Sequence, residues 1–415
     1  MIRSEKMTRR RVIQGGAGLA AAGLMGFPAI LKAQDVLKFG HLTPLTGFLG
    51  PLGEFAQMGV KLALEEVNGA GGVMGRKIEL VMEDSVNPQT ASQKAERFVE
   101  RDKVACIIGE ISSASGLAIA QVVDRAKVLY INTGCNSDAL RGSDCKKFMF
   151  HVEAQNSMYV KAIGRGLLAD NMVKGKRWYS LTADYAFGHD LLKVAKRFME
   201  ANGGQFAADE LVATNATDFS AYLLKIRDTN PDLVVSNLAG NQITNFVKQY
   251  TELGLKFPVI GFAYDTAVAW GAGKGNFLGT WPLLWHHLLD TPGSKAFVDT
   301  FRKKYNKPPE NQAWGDYQTL KIMARAMNEA KSIDPVKIVE FFESGAKFDI
   351  GKAREGYFRK ADHQMMQEMY TITALPVAEI KNDYDIFKAG AAVPGPSENL
   401  EVIAATPEEN TCKLS

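Results

Sequence analysis

Val104-Ala105-Cys106-Ile107-Ile108-Gly109-Glu110-Ile111-Ser112-Ser113-Ala114-Ser115-Gly116 is the stretch that decides the fold class. It opens as a short apolar run that ends in glycine, passes through a serine-rich turn and enters a helical pattern over Ser115 to Ala126. A continuous apolar run of this length, delivered straight into a helix, fits a strand buried on both faces of a parallel sheet.

Outward from that unit the same rhythm repeats. Val36 to His41 and Lys77 to Asp84 read as strands, with an amphipathic helix over Glu54 to Val67 between them. The cluster Gly69-Ala70-Gly71-Gly72-Val73-Met74-Gly75 stops that helix. Thr90 to Arg101 is a helix and Leu129 to Asn132 a strand. The alternation restarts after residues 150–157, with strands at Trp178 to Thr182, Gln205 to Val212, Leu233 to Leu238 and Pro258 to Gly261. Two such series predict two α/β lobes, each a mostly parallel sheet flanked by helices. Lys295 to Tyr305, Tyr317 to Ala330 and Val336 to Phe342 read as three further helices. From about residue 376 the chain is rich in Pro, Gly and polar residues and reads as an irregular extension, 376–415.

The chain starts with an export pattern. Thr8-Arg9-Arg10-Arg11-Val12-Ile13-Gln14 reads as a twin-arginine signal, followed by a Gly- and Ala-rich apolar run to Ile30 and a small residue, Ala33. No Cys follows the run, so the expected product is exported, periplasmic, soluble and not lipid-anchored, with the twin-arginine translocase as a partner. Without residues 1–33 the balance is 43 basic against 45 acidic residues, a formal charge of −2. That removes the electrostatic footprint of nucleic-acid binding. Cys135 and Cys145 lie ten apart in a loop-like segment, a spacing that suits a disulfide in an oxidising compartment. Cys106 reads as a buried strand thiol, and Cys412 as free or paired with Cys106. The cysteine spacings do not resemble a zinc site, and no metal or cofactor is expected.

Three loops stand where ligands collect in open α/β sheets, beyond the carboxyl ends of strands. Ser112, Ser113 and Ser115 surround a helix N-terminus suited to a carboxylate; the competing reading is a plain N-cap. Asn132-Thr133-Gly134-Cys135-Asn136 follows the next strand, with Gly134 allowing close approach and Asn136 able to donate and accept. Tyr185 and Phe187, in Asp184-Tyr185-Ala186-Phe187-Gly188, offer aromatic faces to a cleft or to the core.

Leu42-Thr43-Pro44-Leu45-Thr46-Gly47, the segment Ala63 to Arg76, the serine loop and Asp184 to Gly188 together resemble periplasmic solute-binding proteins of the branched-chain amino acid transport type, over about residues 36–375. The resemblance implies a type I periplasmic binding protein, with two lobes joined by three crossovers and a ligand caught between them. It implies lobes of 36–152 plus 287–362 and of 153–286 plus 363–375, and an ABC permease as partner. It also implies that Ser113, Gly134 and Asn136 hold a ligand carboxylate, that Phe187 with Tyr185 faces it, and that Phe48 and Leu49 stand at the cleft mouth. Amino-acid binders of this family pair the ligand amine with a glutamate after the strand near residue 260. Here the segment is Gly261-Phe262-Ala263-Tyr264-Asp265, with Ala263 nearest the expected acid and Asp265 two positions on. Phe48, Tyr185, Phe187 and Tyr264, with Trp270 and Trp285 as further candidates, then favour an aromatic acid over an amino acid.

Two other classes compete. Catalysis finds no Gly-x-Ser-x-Gly elbow, Walker loop, GxGxxG or HExxH motif. A sensory receptor of the same fold is indistinguishable by sequence from a transport component.

Overall fold

The computed structural model describes residues 36–414. The twin-arginine pattern of residues 1–33 lies outside them. Strands β1 (Leu37–Thr43), β2 (Ile78–Asp84), β3 (Cys106–Gly109), β4 (Leu129–Asn132) and β5 (Met149–His151) form one all-parallel sheet in the order β2-β1-β3-β4-β5. Helices α1 (Gly50–Gly69), α2 (Pro88–Arg97) and α3 (Ser113–Ala126) connect them. β3 and β4 are buried along their whole length, as a sheet covered on both faces requires.

The second sheet takes β6 (Arg177–Ala183), β7 (Gln205–Val212), β8 (Leu233–Asn237), β9 (Val259–Gly261) and β10 (Thr280–Leu283) in parallel. Its helices are α4 (Asn156–Ala169), α5 (Ala186–Ala201), α6 (Ser220–Thr229), α7 (Asn241–Leu253) and α8 (Thr266–Ala272). The chain then supplies α9 (Pro292–Tyr305), α10 (Asn311–Glu329) and α11 (Pro335–Glu343), and a small antiparallel sheet of β11 (Lys347–Phe348), β12 (Gly356–Phe358) and β13 (Met365–Met366). β14 (Tyr370–Ala374) and β15 (Phe387–Ala389) return antiparallel to the edge of the second sheet, in the order β15-β14-β10-β9-β8-β6-β7. The expected two-lobed α/β architecture is present. The segment after 376, expected to be irregular, contributes β15 to a sheet.

α10 belongs with the first sheet. His41 Nε2 meets Asp316 Oδ1 at 2.7 Å, both side chains fully buried, and Gly59 of α1 lets Ala313 O of α10 come so close that a Cβ would sit 2.0 Å from it. The chain therefore passes between the lobes after β5, after β10 and before β14.

One buried lysine ties the three crossings. Lys352 Nζ donates to Leu284 O (2.6 Å), Glu368 O (2.7 Å) and Gln367 Oε1 (2.8 Å), and Gln367 Nε2 donates to Val152 O (2.6 Å). Burial pulls the Lys352 ammonium down to about 7. Its ring contacts, Trp314 at 4.7 Å and Tyr370 at 5.7 Å, favour the charged form.

The disulfide differs from the expected pair. Cys145 is bonded to Cys412, and Cys135 and Cys106 are free, buried thiols. The reason is side-chain direction. The Cys135 thiol lies under α3, near enough that a Cβ on Gly116 would be 2.7 Å away, and it donates to Ser112 O (3.4 Å). A 3₁₀ turn over Asp138–Arg141 then carries the chain outward, so Cys145 faces the C-terminal segment instead. Cys106 sits inside β3, as expected of a core thiol.

Replacing Lys352 with Met keeps the volume and removes the charge and all three donors. The acceptors it leaves unpaired should cost about 3 kcal/mol or more. Denaturant unfolding of Lys352→Met measures this; a loss below about 1 kcal/mol would mean the lysine does not hold the crossings together.

Candidate functional site

The strand orders determine where a cleft forms. In β2-β1-β3 and in β9-β8-β6-β7 the direction of winding reverses beside β1 and beside β6, and a crevice opens at the carboxyl ends of such strands. The segments after β1, β3 and β4 face those after β6, β8 and β9. Between them lies a narrow cavity of about 30 Å³. Its wall includes Leu49, Asn136, Tyr185, Phe187, Tyr264 and Asp265.

The remaining predicted residues do not reach that wall. Phe48 packs behind it, its ring edge-on to Tyr185 at 5.5 Å, and its carbonyl faces Gly240 of the other lobe. Gly240 has φ +50° and a Cβ there would lie 2.1 Å from Phe48 O, so only glycine permits this approach. Ser113 is buried, with its hydroxyl oxygen accepting from Ser137 N at 3.2 Å. Gly134 makes room for Gln312, whose Oε1 would be 2.6 Å from an added Cβ. Trp270 donates to Tyr384 O and Trp285 to Ser294 Oγ, and both are packed away from the cavity.

The serine loop is already engaged. Glu110, buried at φ +73°, turns its Oε1 back onto Ile111 N (3.1 Å) and Ser112 N (2.8 Å). Two of the N–H groups expected for a ligand carboxylate are thus taken by one of the protein's own. Burial raises the Glu110 carboxyl to about 7.

Sequence reasoning missed Glu153, Asn311 and Gln312. Glu153 follows the short strand β5 on the first crossing and lines the cavity, where its Oε1 accepts from Tyr159 Oη (2.7 Å), Ala154 N (2.9 Å) and Asn136 Nδ2 (3.1 Å). Asn311 and Gln312 open α10. Gln312 Nε2 donates to Asp265 Oδ1 at 3.0 Å, and Asn311 Nδ2 stands between Asp265 Oδ1 (3.3 Å) and Glu153 Oε2 (3.4 Å). The carboxylates of Glu153 and Asp265 are therefore neighbours inside one cavity. Burial is the main reason both are raised, Glu153 to about 7, with the negative charge of Asp265 adding to the effect on Glu153. No Lys, Arg or His is among the described residues that line the cavity. Gln312 Oε1 on the wall and Asn311 Oδ1 beside it are buried without a protein partner. Two carboxylates and the Gln312 amide carbonyl make the cleft rich in acceptors and poor in positive charge.

A family model described as periplasmic binding protein matches residues 36–375. The Leu/Ile/Val-binding protein homolog 8 of Brucella suis biovar 1 (strain 1330) is 27% identical over 386 residues, which span 87% of this chain and 92% of that protein. A periplasmic binding protein from Burkholderia mallei superposes with a TM-score of 0.83 at 26% identity, over 92% of this chain and 99% of that one. Two more distant structures share the fold. One is a solute-binding protein of R. palustris in complex with benzoate (TM-score 0.76, 22% identity, 91% of this chain and 100% of that one). The other is a branched-chain amino acid transporter substrate-binding protein of Streptococcus pneumoniae in complex with isoleucine (TM-score 0.75, 24% identity, 86% and 99%).

The raised carboxyls make a stability prediction. A carboxyl whose folded pKa exceeds its unfolded value stabilises the fold when protonated, and that contribution is lost as pH rises through the folded value. For Glu110 and Glu153 that value is about 7. These two carboxyls favour pH 6 over pH 8, while Lys352, held at about 7, works in the opposite sense above that value, so Glu110→Gln and Glu153→Gln should each shift the stability difference between pH 6 and pH 8 in favour of pH 8. Thermal unfolding across that range checks it; an equal slope in all three proteins would contradict it.

Proposed function

Since the chain belongs to the periplasmic binding protein family, we propose that it serves an ABC importer by capturing a small ligand that carries a protonated amine or comparable N–H donors. The observation that carries this reading is the pair Glu153 and Asp265, which share the donor Asn311 Nδ2 in a cavity whose lining includes no basic side chain. A lone carboxylate entering that space meets like charge from whichever member of the pair is ionised, whereas an ammonium compensates that charge. Of the two ligand classes considered from the sequence, the amino acid is favoured over the aromatic acid. Asp265 supplies the acid that the family's amino-acid binders place after the strand near residue 260. Tyr185, Phe187 and Tyr264 provide the apolar wall, which suits an aromatic or branched side chain.

The proposal takes 36–152 with 287–362 as one lobe and 153–286 with 363–375 as the other, closing by rotation about the three crossings. It takes the twin-arginine translocase as the route to the periplasm and the inner-membrane permease as the partner of the loaded protein. Sensing in place of transport remains the alternative use of the same cleft.

A thermal-shift screen against amino acids, amines, amides and aromatic acids selects the best ligand, because a ligand that binds only the folded state raises the melting temperature. With that ligand, Asp265→Asn should weaken binding about 10- to 100-fold, the usual worth of about 1.5–3 kcal/mol for a hydrogen bond to a charged group. Calorimetry reads the loss. Wild-type affinity in Asp265→Asn would reject the amine reading, and wild-type affinity in Phe187→Ala as well would place the ligand elsewhere.

A further inference from the structure

We infer that the C-terminal segment is a covalent strap that limits how far the two lobes open. The residues after 375 lie beyond the family match. After β15 the chain runs between the lobes: on one side Glu398 takes both carboxylate oxygens to Arg165 of α4 (2.9 and 2.8 Å) and Lys161 of α4 donates to Ala404 O (2.8 Å), and on the other Arg354 donates to Glu398 O (2.8 Å) and Arg359 to Ala405 O (2.9 Å). Glu409 then pairs with Lys161 (2.5 Å) and with Arg197 of α5 (3.5 Å). Three residues later Cys412 is bonded to Cys145, on the turn that leads into β5 of the first lobe. Asn410 Nδ2 reaches Asp362 Oδ2 (3.3 Å) in the β12–β13 hairpin, whose Phe358 packs on Phe150 of β5.

The span is short. Three residues extend at most about 10 Å, so while Glu409 keeps its pairs the turns of α4 and α5 that carry Lys161 and Arg197 cannot move far from Cys145. The same segment closes a cavity whose facing walls are Asp138 and Arg141 of the first lobe and Asp190 and Arg197 of the second. Beside it the Asp138 amide donates to Asp190 Oδ2 at 2.7 Å, a hydrogen bond that runs from one lobe to the other. Ion pairs as accessible as those of Arg165 and Arg197 contribute little singly. The disulfide changes their effect, because it keeps the segment within reach and lets broken pairs re-form. The restraint is independent of what the cleft binds.

The test uses ligand-free mature protein, so its failure is separate from failure of the ligand reading. Two variants are compared with wild type, the double change Cys145→Ser/Cys412→Ser and the single change Glu409→Gln, which leaves the disulfide intact. Small-angle X-ray scattering reads the radius of gyration, and hydrogen exchange reads the Asp138 amide against the amides of β3 and β4. The double variant should scatter as a more open particle and exchange Asp138 roughly tenfold or more faster, with β3 and β4 little changed. Glu409→Gln should fall between it and wild type. Unchanged scattering and Asp138 exchange would overturn the strap, as would a rise that is equal at Asp138 and in β3 and β4, which marks general destabilisation. Should the double variant not fold, Glu409→Gln decides alone: faster Asp138 exchange supports the strap and wild-type exchange overturns it.

Discussion

Asn311 Nδ2 stands between two buried carboxylates, Glu153 from the first crossing and Asp265 from the start of α8. One amide cannot neutralise two negative charges. The cavity lining holds no basic side chain, and Arg141, whose guanidinium donates to the Glu153 carbonyl, draws the Glu153 carboxyl down only in part, so protons or a bound cation offset the rest. This constraint unites the rest of the molecule. The three groups come from different parts of the chain, and they meet only because α10 is docked on the first sheet through His41 and Asp316 while β9 delivers Asp265 from the second. The cleft is therefore chemically complete only when the lobes are together.

That coupling explains why the crossings carry so much buried polarity. Lys352 reaches two of the three crossings directly and the third through Gln367, while Arg141 donates to Gln364 Oε1 (2.8 Å) and Glu153 O (2.7 Å). Each donor satisfies backbone carbonyls that a bend between lobes would otherwise leave unpaired. The crossing that fixes the backbone of Glu153 thus also fixes one of the two carboxylates of the cleft. Lobe geometry and ligand chemistry are set by the same hydrogen bonds.

The fold was legible because parallel strands buried on both faces leave unmistakable apolar runs. The strand read over Val104 to Gly109 is present as Cys106–Gly109 and that over Leu129 to Asn132 is present in full, with the loops after them at the carboxyl edge of the sheet. The short strands β5, β10 and β11 to β13 left no periodicity to read. Asn136, Tyr185, Phe187, Tyr264 and Asp265, singled out because they follow strands, line one cavity. Glu153 was missed with β5, and Asn311 and Gln312 were missed because they begin a helix distant in sequence. Glu310 N-caps that helix by accepting from Gln312 N (2.7 Å) and Ala313 N (3.0 Å), so an acid followed by two amides was the available signal. The disulfide was misread because sequence spacing carries no information on which way a side chain points.

The most direct measurement of the central claim is a comparison of matched molecules: amino acids and their counterparts in which the amine is replaced by hydrogen, titrated calorimetrically into the same mature protein at the same pH. The two-carboxylate cleft predicts that only the amine-bearing member of each pair binds. Nitrogen-free acids that bind as tightly as their amino counterparts would contradict it.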